Sequence, residues 1–169
     1  DLAFTHHECE TAQARGVTGQ KEFARFWLHT AMVRYQGEKM SKSLGNLIWA
    51  RDLLREHSAD AVRLLVNAHP YYETWEYDAA ELGPAEELAA LLLRAATAQG
   101  GRVRALDARP AVSAFEAALD DNLNTREALS ALGKLADEIL AAAAQGCSVA
   151  EAQRTLRKLG TVFGLRFDG

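Results

Sequence analysis

Apolar residues in the second half of the chain recur every three or four positions, which is the spacing of an amphipathic α-helix. A run at residues 86–96 follows Gly83-Pro84 and predicts a helix entered at a proline. Because the loops between the helical segments are short, the helices are predicted to pack antiparallel as a bundle. Two later segments show the clearest apolar faces, one with Leu129, Leu132, Ala136, Ile139 and Leu140, and one with Val149, Ala152, Leu156, Leu159 and Phe163.

Helix ends in this half are marked by residues that favour caps. In a capping box, the side chain at the first position accepts a hydrogen bond from a free N–H of the first helical turn. Gly146 is predicted to stop the helix before it. Three helix starts are predicted from this spacing: Ser113-x-x-Glu116, Asn124-x-x-Glu127 and Ser148-x-x-Glu151.

The front of the chain is less regular. Thr5-x-x-Glu8 has capping-box spacing and predicts a helix that starts near His6 and ends between Gly16 and Gly19. Residues 29–35 are apolar and predict a short strand leading into a polar loop. Segments 50–57 and 59–67 have helical spacing. The expected fold is therefore mainly α, with one or two short strands in front of an antiparallel helical bundle.

Composition narrows the class of protein. Of 169 residues, 49% are hydrophobic and 25% are charged, which is typical of a folded globular protein. No apolar run reaches about 18 residues, so no membrane association is predicted. The two cysteines form no disulfide framework and fit a reducing cytoplasm. With a net charge of −4, the chain would contact RNA only through local basic patches.

A polar loop, GEKMSKSLGN at residues 37–46, carries the first candidate chemistry. Lys39 and Lys42 are three positions apart, so their ammonium groups can reach oxygens of one polyphosphate as point charges. Positive charge there would stabilise the charge that builds on a phosphate leaving group. The alternative is an exposed basic turn without a ligand, which is the commoner use of this spacing.

The segment THHECE, residues 5–10, offers possible metal ligands. On a helix, His6 and Glu10 are four positions apart and share a face. Imidazole and carboxylate both bind zinc, and Cys9 is within reach of the same face. The alternative is a polar helix start with Glu8 in the cap and His7 exposed.

Several stretches resemble a known family. Residues 39–43, KMSKS, match the signature loop of class I aminoacyl-tRNA synthetases. DLAFTHHECETAQ, WLHTAMV and GEKMSKSLGN occur in the order found in cysteinyl-tRNA synthetases, and Asp60-Ala61-Val62-Arg63 is similar to a helix of that family. FEAALDDNLNTREAL and LRKLGTVFGL are similar to its helical domain. The resemblance covers essentially the whole chain.

The resemblance implies ATP-dependent activation of cysteine and its transfer to tRNA(Cys), in a cytoplasmic enzyme expected to be a monomer. Lys39 and Lys42 would act on the triphosphate of ATP, with Mg²⁺, within a loop formed by Lys39, Met40, Ser41, Lys42 and Ser43. Of the family's four zinc ligands, two cysteines, one histidine and one glutamate, His6 and Glu10 match the last two. His29 would line the substrate pocket, or have a purely structural role.

The same resemblance predicts how the chain is divided. Residues 1–78 would be the end of a Rossmann-type catalytic domain, and 79–169 a helical bundle that contacts the tRNA stem. The HIGH motif and both zinc cysteines would precede residue 1, so this fragment alone is expected to be inactive. Cys9 stands where the family usually has Asn, and Thr5 replaces a Pro. Arg102, Arg104, Arg126 and Lys134 are the candidate phosphate contacts of the bundle.

Two other functions remain open from the sequence. A related cysteine ligase of mycothiol biosynthesis uses the same zinc site and KMSKS loop but transfers cysteine to an amino sugar. A non-catalytic module that binds RNA or protein is the third possibility. In the back half, Asp120, Asp121, Asn122 and Asn124 are better explained as a capped helix–helix turn than as a metal cluster, and Trp75 and Tyr77 as a packed connector than as a platform for bases.

Overall fold

Seven α-helices and three short strands form residues 3–168, the part of the chain that the computed structural model describes. The expected fold class, mainly α with a few short strands, is confirmed. A π-helical turn, Ala3–His7, leads into α1, and 3₁₀ turns lie at Ala79–Glu81 and Thr161–Phe163. The elements are α1 Glu8–Thr18, β1 Val33–Tyr35, β2 Glu38–Lys39, α2 Ala50–Leu53, α3 Ala59–Asn67, β3 Trp75–Glu76, α4 Leu82–Thr97, α5 Arg109–Asp120, α6 Thr125–Ala144 and α7 Ala150–Gly160.

The strands form one small sheet in the order β2-β1-β3. β1 and β2 are an antiparallel hairpin joined by Gln36 and Gly37, whose φ angles are 57° and 77°. Positive φ at both positions is the requirement of a type I′ turn, and it matches the twist of the flanking strands. β3 returns parallel to β1 after α2 and α3, with Val33 opposite Trp75. The hairpin therefore ends at Lys39. The segment from Lys39 to Asn46, called the lysine loop below, begins there.

The bundle is built around α6, which packs against α3, α4, α5 and α7. Leu132, Leu135 and Ile139 of α6 have no exposed surface. The apolar face predicted for α7 is buried as well, since Ala152 and Leu156 are fully covered. Both helical faces were thus predicted correctly from their spacing.

The predicted helix ends have a mixed outcome. Asn124 caps α6, with its side-chain oxygen 3.2 Å from the backbone N of Glu127, as predicted. Gly146 adopts φ 75° just beyond the end of α6, also as predicted. The start at Ser113 was wrong, because α5 begins at Arg109 with Pro110 in its first turn. Ser148 caps nothing, since Val149 precedes α7 without a side-chain cap.

The front helix also begins differently from the prediction. Thr5 lies within the π-helical turn, and α1 proper follows His7, which makes no side-chain cap. α1 ends at Thr18, before Gly19 in the left-handed conformation, which agrees with the predicted end. No residue of α1 is buried. Within residues 3–168, every helix is too short or too polar to cross a lipid bilayer.

A buried carboxylate ties α3 to the C-terminal segment of the bundle. Asp60, 6% exposed, accepts hydrogen bonds from the backbone N of Arg166 at 3.0 Å and of Phe167 at 2.8 Å. The ring of Phe167 lies against Gly160, where an added Cβ would come within 2.5 Å of the ring. The guanidinium of Arg157 lies 5.3 Å from the centre of the same ring. The hydrogen bonds of Asp60 therefore hold α3 against the segment that follows α7.

Removal of the Asn124 cap should destabilise the bundle modestly. Asn124→Ala leaves a helical N–H of α6 without its side-chain partner, and such a loss costs about 1 kcal/mol. Urea unfolding followed by circular dichroism measures the change in the free energy of unfolding. Ser113→Ala is the matched control, because Ser113 is exposed inside α5 and its loss should stay within about 0.5 kcal/mol. Equal losses for the two variants would contradict the cap assignment.

Candidate active site

The lysine loop connects β2 to α2 at one edge of the sheet. Lys39 is the last residue of β2, and Lys42 and Ser43 are exposed within the turn 42–45. Met40 and Ser41, between the two lysines, are half-buried. The structure thus keeps all five signature residues in one short segment, with both ammonium-bearing residues exposed to solvent.

Hydrogen bonds inside the loop define its shape. The backbone N of Gly45 donates to the carbonyl of Lys42 at 3.2 Å, which closes a tight turn. The Oγ of Ser41 accepts from the backbone N of Leu44 at 3.3 Å and lies 3.1 Å from the Oγ of Ser43. The side chain of Asn46 spans the loop, accepting from the N of Ser41 at 2.8 Å and donating to the carbonyl of Lys39 at 3.3 Å. Sequence reasoning singled out the lysines and serines but missed Asn46.

The hairpin before the loop has its own anchor. The carboxylate of Glu76, on β3, accepts a hydrogen bond from the backbone N of Gly37 at 2.8 Å. Tyr77, the next residue, packs edge-on against Tyr35 at 5.9 Å between ring centres. Burial raises the pKa of Tyr77, and the neighbouring Tyr35 and Asp78 raise it further. The base of the lysine loop is therefore fixed to the connector that leads into the bundle.

The two predicted metal ligands lie on exposed backbone. His6 belongs to the π-helical turn, and Glu10 lies in the first turn of α1. Both side chains are exposed, as is Cys9. Between residues 3 and 168, the structure brings no three His, Cys, Asp or Glu side chains into an arrangement able to hold a metal ion. Two donors of suitable chemistry are thus present, without a third.

His29 lies close to His7 rather than to His6. The Nε2 of His29 is 2.8 Å from the Nδ1 of His7, and the ring of His7 also packs 5.0 Å from that of Trp27. These three side chains line a surface pocket of about 350 Å³ together with Glu8, Thr11 and Arg15. The alternative prediction from the sequence, in which His7 is exposed, is wrong because the residue is half-buried. The proximity of Trp27 and His29 in the chain was the only available signal for this grouping.

The connector and the turn before α6 have structural roles. Trp75 stacks on His69 with the ring centres 3.8 Å apart, so one face of the indole is covered, as expected for a packed connector. Tyr71 donates from its hydroxyl to the Oδ1 of Asn122 at 2.9 Å. Together with the Asn124 cap, this contact supports the prediction of a helix–helix turn.

The candidate phosphate contacts are spread over the bundle. Arg102 and Arg104 are exposed on a loop whose backbone is hydrogen-bonded to residues 146–148. Nearby, a hydrogen bond from Arg109 holds the pKa of Asp107 at about 2. Arg126 donates from Nε to the carbonyl of Ala68 at 3.2 Å, and Lys134 is exposed on α6. The four residues thus come from separate segments, the loop before α5 and the helix α6. Arg126 already donates a hydrogen bond to the carbonyl of Ala68.

Two family profiles match the chain in succession. The profile described as tRNA synthetases class I (C) catalytic domain matches residues 1–87. The chain belongs to this family. A second profile, the DALR domain, matches residues 114–168. The class I (C) match contains the lysine loop, α3 and the sheet, and the DALR match contains α6 and α7.

Individual relatives agree with the family. The chain is 41% identical over 168 residues to a cysteine–tRNA ligase of Halorhodospira halophila, covering 98% of this chain and 36% of the relative. It is 37% identical over 166 residues to a cysteine–tRNA ligase of Polaromonas naphthalenivorans, covering 98% and 35%. A relative from Thermobifida fusca, an L-cysteine:1D-myo-inositol 2-amino-2-deoxy-alpha-D-glucopyranoside ligase, is 38% identical over 170 residues, covering 99% and 40%. The chain spans less than half the length of these relatives.

Proposed function

We propose that this chain is part of a cysteine–tRNA ligase. The observation that carries the proposal is the KMSKS loop at residues 39–43, at the end of a β-hairpin, with both lysines exposed. The loop lies inside a match to the class I (C) catalytic domain. Cysteine–tRNA ligases are also similar to the chain over nearly its whole length, including the residues matched by the DALR domain. The substrates are then cysteine, ATP with Mg²⁺ and tRNA(Cys).

The lysine loop would act in the first step of the reaction. The carboxylate of cysteine attacks the α-phosphorus of ATP, the bond to the β-phosphate oxygen breaks, and pyrophosphate leaves. Lys39 and Lys42 place positive charge where negative charge builds on the leaving group, which lowers the barrier most when the charges are already in place. In the second step a hydroxyl of the terminal tRNA nucleotide attacks the carbonyl carbon, and AMP leaves.

We propose His6 and Glu10 as two of the ligands of a zinc ion. Their side chains have the donor atoms that zinc prefers, although the described residues provide no third ligand beside them. A zinc ion would bind the soft thiolate of cysteine. The hydroxyl of serine is a harder ligand and would bind the same ion poorly. His29 is proposed to line the substrate pocket through its contact with His7.

His6→Ala in the complete protein should lower zinc affinity by about tenfold or more, since even the loss of a group that orients a ligand costs that much. Zinc bound per protein, measured by atomic emission after dialysis, is the readout. His7→Ala is the matched control and should retain its zinc, because His7 contacts His29 and Trp27 instead. Loss of zinc from the His7 variant alone would move the assignment to the His7–His29 pair.

The remaining features of the proposal concern the whole enzyme. Residues 1–78 are proposed as the end of the catalytic domain and 79–169 as the helical domain that contacts the tRNA stem. Arg102, Arg104 and Lys134 are exposed on the helical part and can meet phosphates. A cytoplasmic monomer is proposed as the working form.

A second candidate is the amino-sugar ligase, which the relative from Thermobifida fusca favours. Both candidates share activation of cysteine and differ in the acceptor. The test is to supply the complete protein with cysteine and ATP, and to measure pyrophosphate exchange and then transfer to tRNA(Cys) or to the glucosaminyl-inositol. Transfer to tRNA supports the proposal, and transfer to the amino sugar alone replaces it with the second candidate. Absence of cysteine-dependent exchange would leave only a binding module.

A further inference from the structure

The side chain of Asn46 forms hydrogen bonds to two backbone groups of the lysine loop. Its Oδ1 accepts from the backbone N of Ser41 at 2.8 Å, and its Nδ2 donates to the carbonyl of Lys39 at 3.3 Å. These two backbone groups lie on either side of Met40. One carboxamide therefore bridges Lys39, the first lysine of the loop, and Ser41. Asn46 is half-buried, while Lys42 and Ser43 are exposed.

An amide side chain suits this pair of contacts, because it offers an acceptor oxygen and a donor NH₂ on the same carbon. A carboxylate of the same size could accept from Ser41 but could not donate to Lys39. The backbone on the far side of the loop is closed separately, by the bond from the N of Gly45 to the carbonyl of Lys42 at 3.2 Å. The conformation of the loop is therefore determined largely by its own hydrogen bonds.

We propose that Asn46 is a positioning residue for adenylate formation, which holds the backbone of Lys39 and Ser41 so that this part of the loop keeps one geometry while pyrophosphate leaves. The inference rests on the proposed function of the loop. The carboxamide acts through the main chain and does not touch the nucleotide. Its contribution is preorganisation: charges that are already ordered lose less conformational freedom when the leaving group forms.

The test measures cysteine-dependent exchange of pyrophosphate into ATP by the complete protein. Asn46→Ala removes both hydrogen bonds and should lower kcat about tenfold, the scale of one lost net hydrogen bond. The KM for ATP should stay within about twofold, because the contact matters in the transition state and not in ground-state binding. Asn46→Asp keeps the acceptor for Ser41 but loses the donor for Lys39, and its kcat should fall as well.

Two further variants make the result decisive. Asn67→Ala is the matched control, since the amide of Asn67 also donates to a backbone carbonyl, that of Arg63 at 2.8 Å, but within α3. It should keep the kcat of the unmodified protein. Lys42→Ala reports on the loop itself, and its exchange should be strongly reduced if the proposed function holds.

Each outcome separates the inference from the proposed function. A strong loss in Lys42→Ala with unchanged kcat in Asn46→Ala would overturn the positioning role and leave the function standing. No loss in Lys42→Ala would overturn the function of the loop. An unchanged Asn46→Asp would show that the donor to Lys39 is unnecessary and would refute the two-sided contact. A fall in Tm for Asn46→Ala, with KM and kcat altered together, would indicate a merely structural residue.

Discussion

Lys42→Ala is expected to lower the rate of cysteinyl-adenylate formation by the complete protein by about 100-fold or more. Lys42 is exposed in the turn 42–45, so its ammonium group is open to a polyphosphate. Removal of one preorganised charge or donor from a charged transition state costs about 100- to 1,000-fold in rate. Cysteine-dependent exchange of pyrophosphate into ATP measures this step directly.

The control for this variant is another exposed lysine elsewhere in the chain. Lys158→Ala, on the solvent side of α7, removes one positive charge without touching the loop. Its exchange rate should match that of the unmodified protein. Lys42→Arg keeps the charge but replaces a compact ammonium with a planar group, so partial recovery is expected. Equal rates for Lys42→Ala and Lys158→Ala would rule out the loop as the phosphate site.

Asp60→Ala is expected to lower the free energy of unfolding of the bundle by about 3 kcal/mol. The carboxylate, 6% exposed, accepts from the backbone N of Arg166 and of Phe167. Without it, both N–H groups lose a charged acceptor in a partly buried place. Urea unfolding followed by circular dichroism gives the change.

Asp137→Ala serves as the comparison for Asp60, because Asp137 is an exposed carboxylate on α6. Its effect should stay within about 0.5 kcal/mol. Asp60→Asn tests the geometry, since its NH₂ group would face one backbone N–H in place of a carboxylate oxygen. A loss for Asp60→Ala no larger than for Asp137→Ala would show that the contact with the C-terminal segment adds nothing to stability.

The bundle could be predicted from the sequence because burial follows a local period. Leu132, Ile139 and Leu156 lie on the predicted faces and are fully buried. Helix starts were predicted less well. The helix α5 begins four residues before Ser113, with a proline in its first turn. A serine at capping spacing is only one of several ways to begin a helix, and tertiary packing decides among them.

The site was predictable in its residue types but not in its contacts. The loop 39–43 was identified from the pattern of lysines and serines and from its resemblance to a family signature. The hydrogen bonds of Asn46 depend on the path of the backbone, which no periodicity encodes. In the same way, spacing favoured His6 with Glu10, whereas the pairing of His7 with His29 joins residues 22 apart in the chain. The assignment of His6, Glu10 and His29 to a metal and a pocket stays a prediction.

The contact between Asp60 and Phe167 joins residues 107 apart in the chain. Closing so long a loop costs chain entropy that local helix pairs do not pay. A short turn joins α5 and α6, so these two helices can pair during translation as soon as both have been made. By contrast, α3 cannot complete its packing until residue 167 has left the ribosome. Because α3 packs mainly against α4, most of its contacts can form early, and its contact with Phe167 is expected to form last.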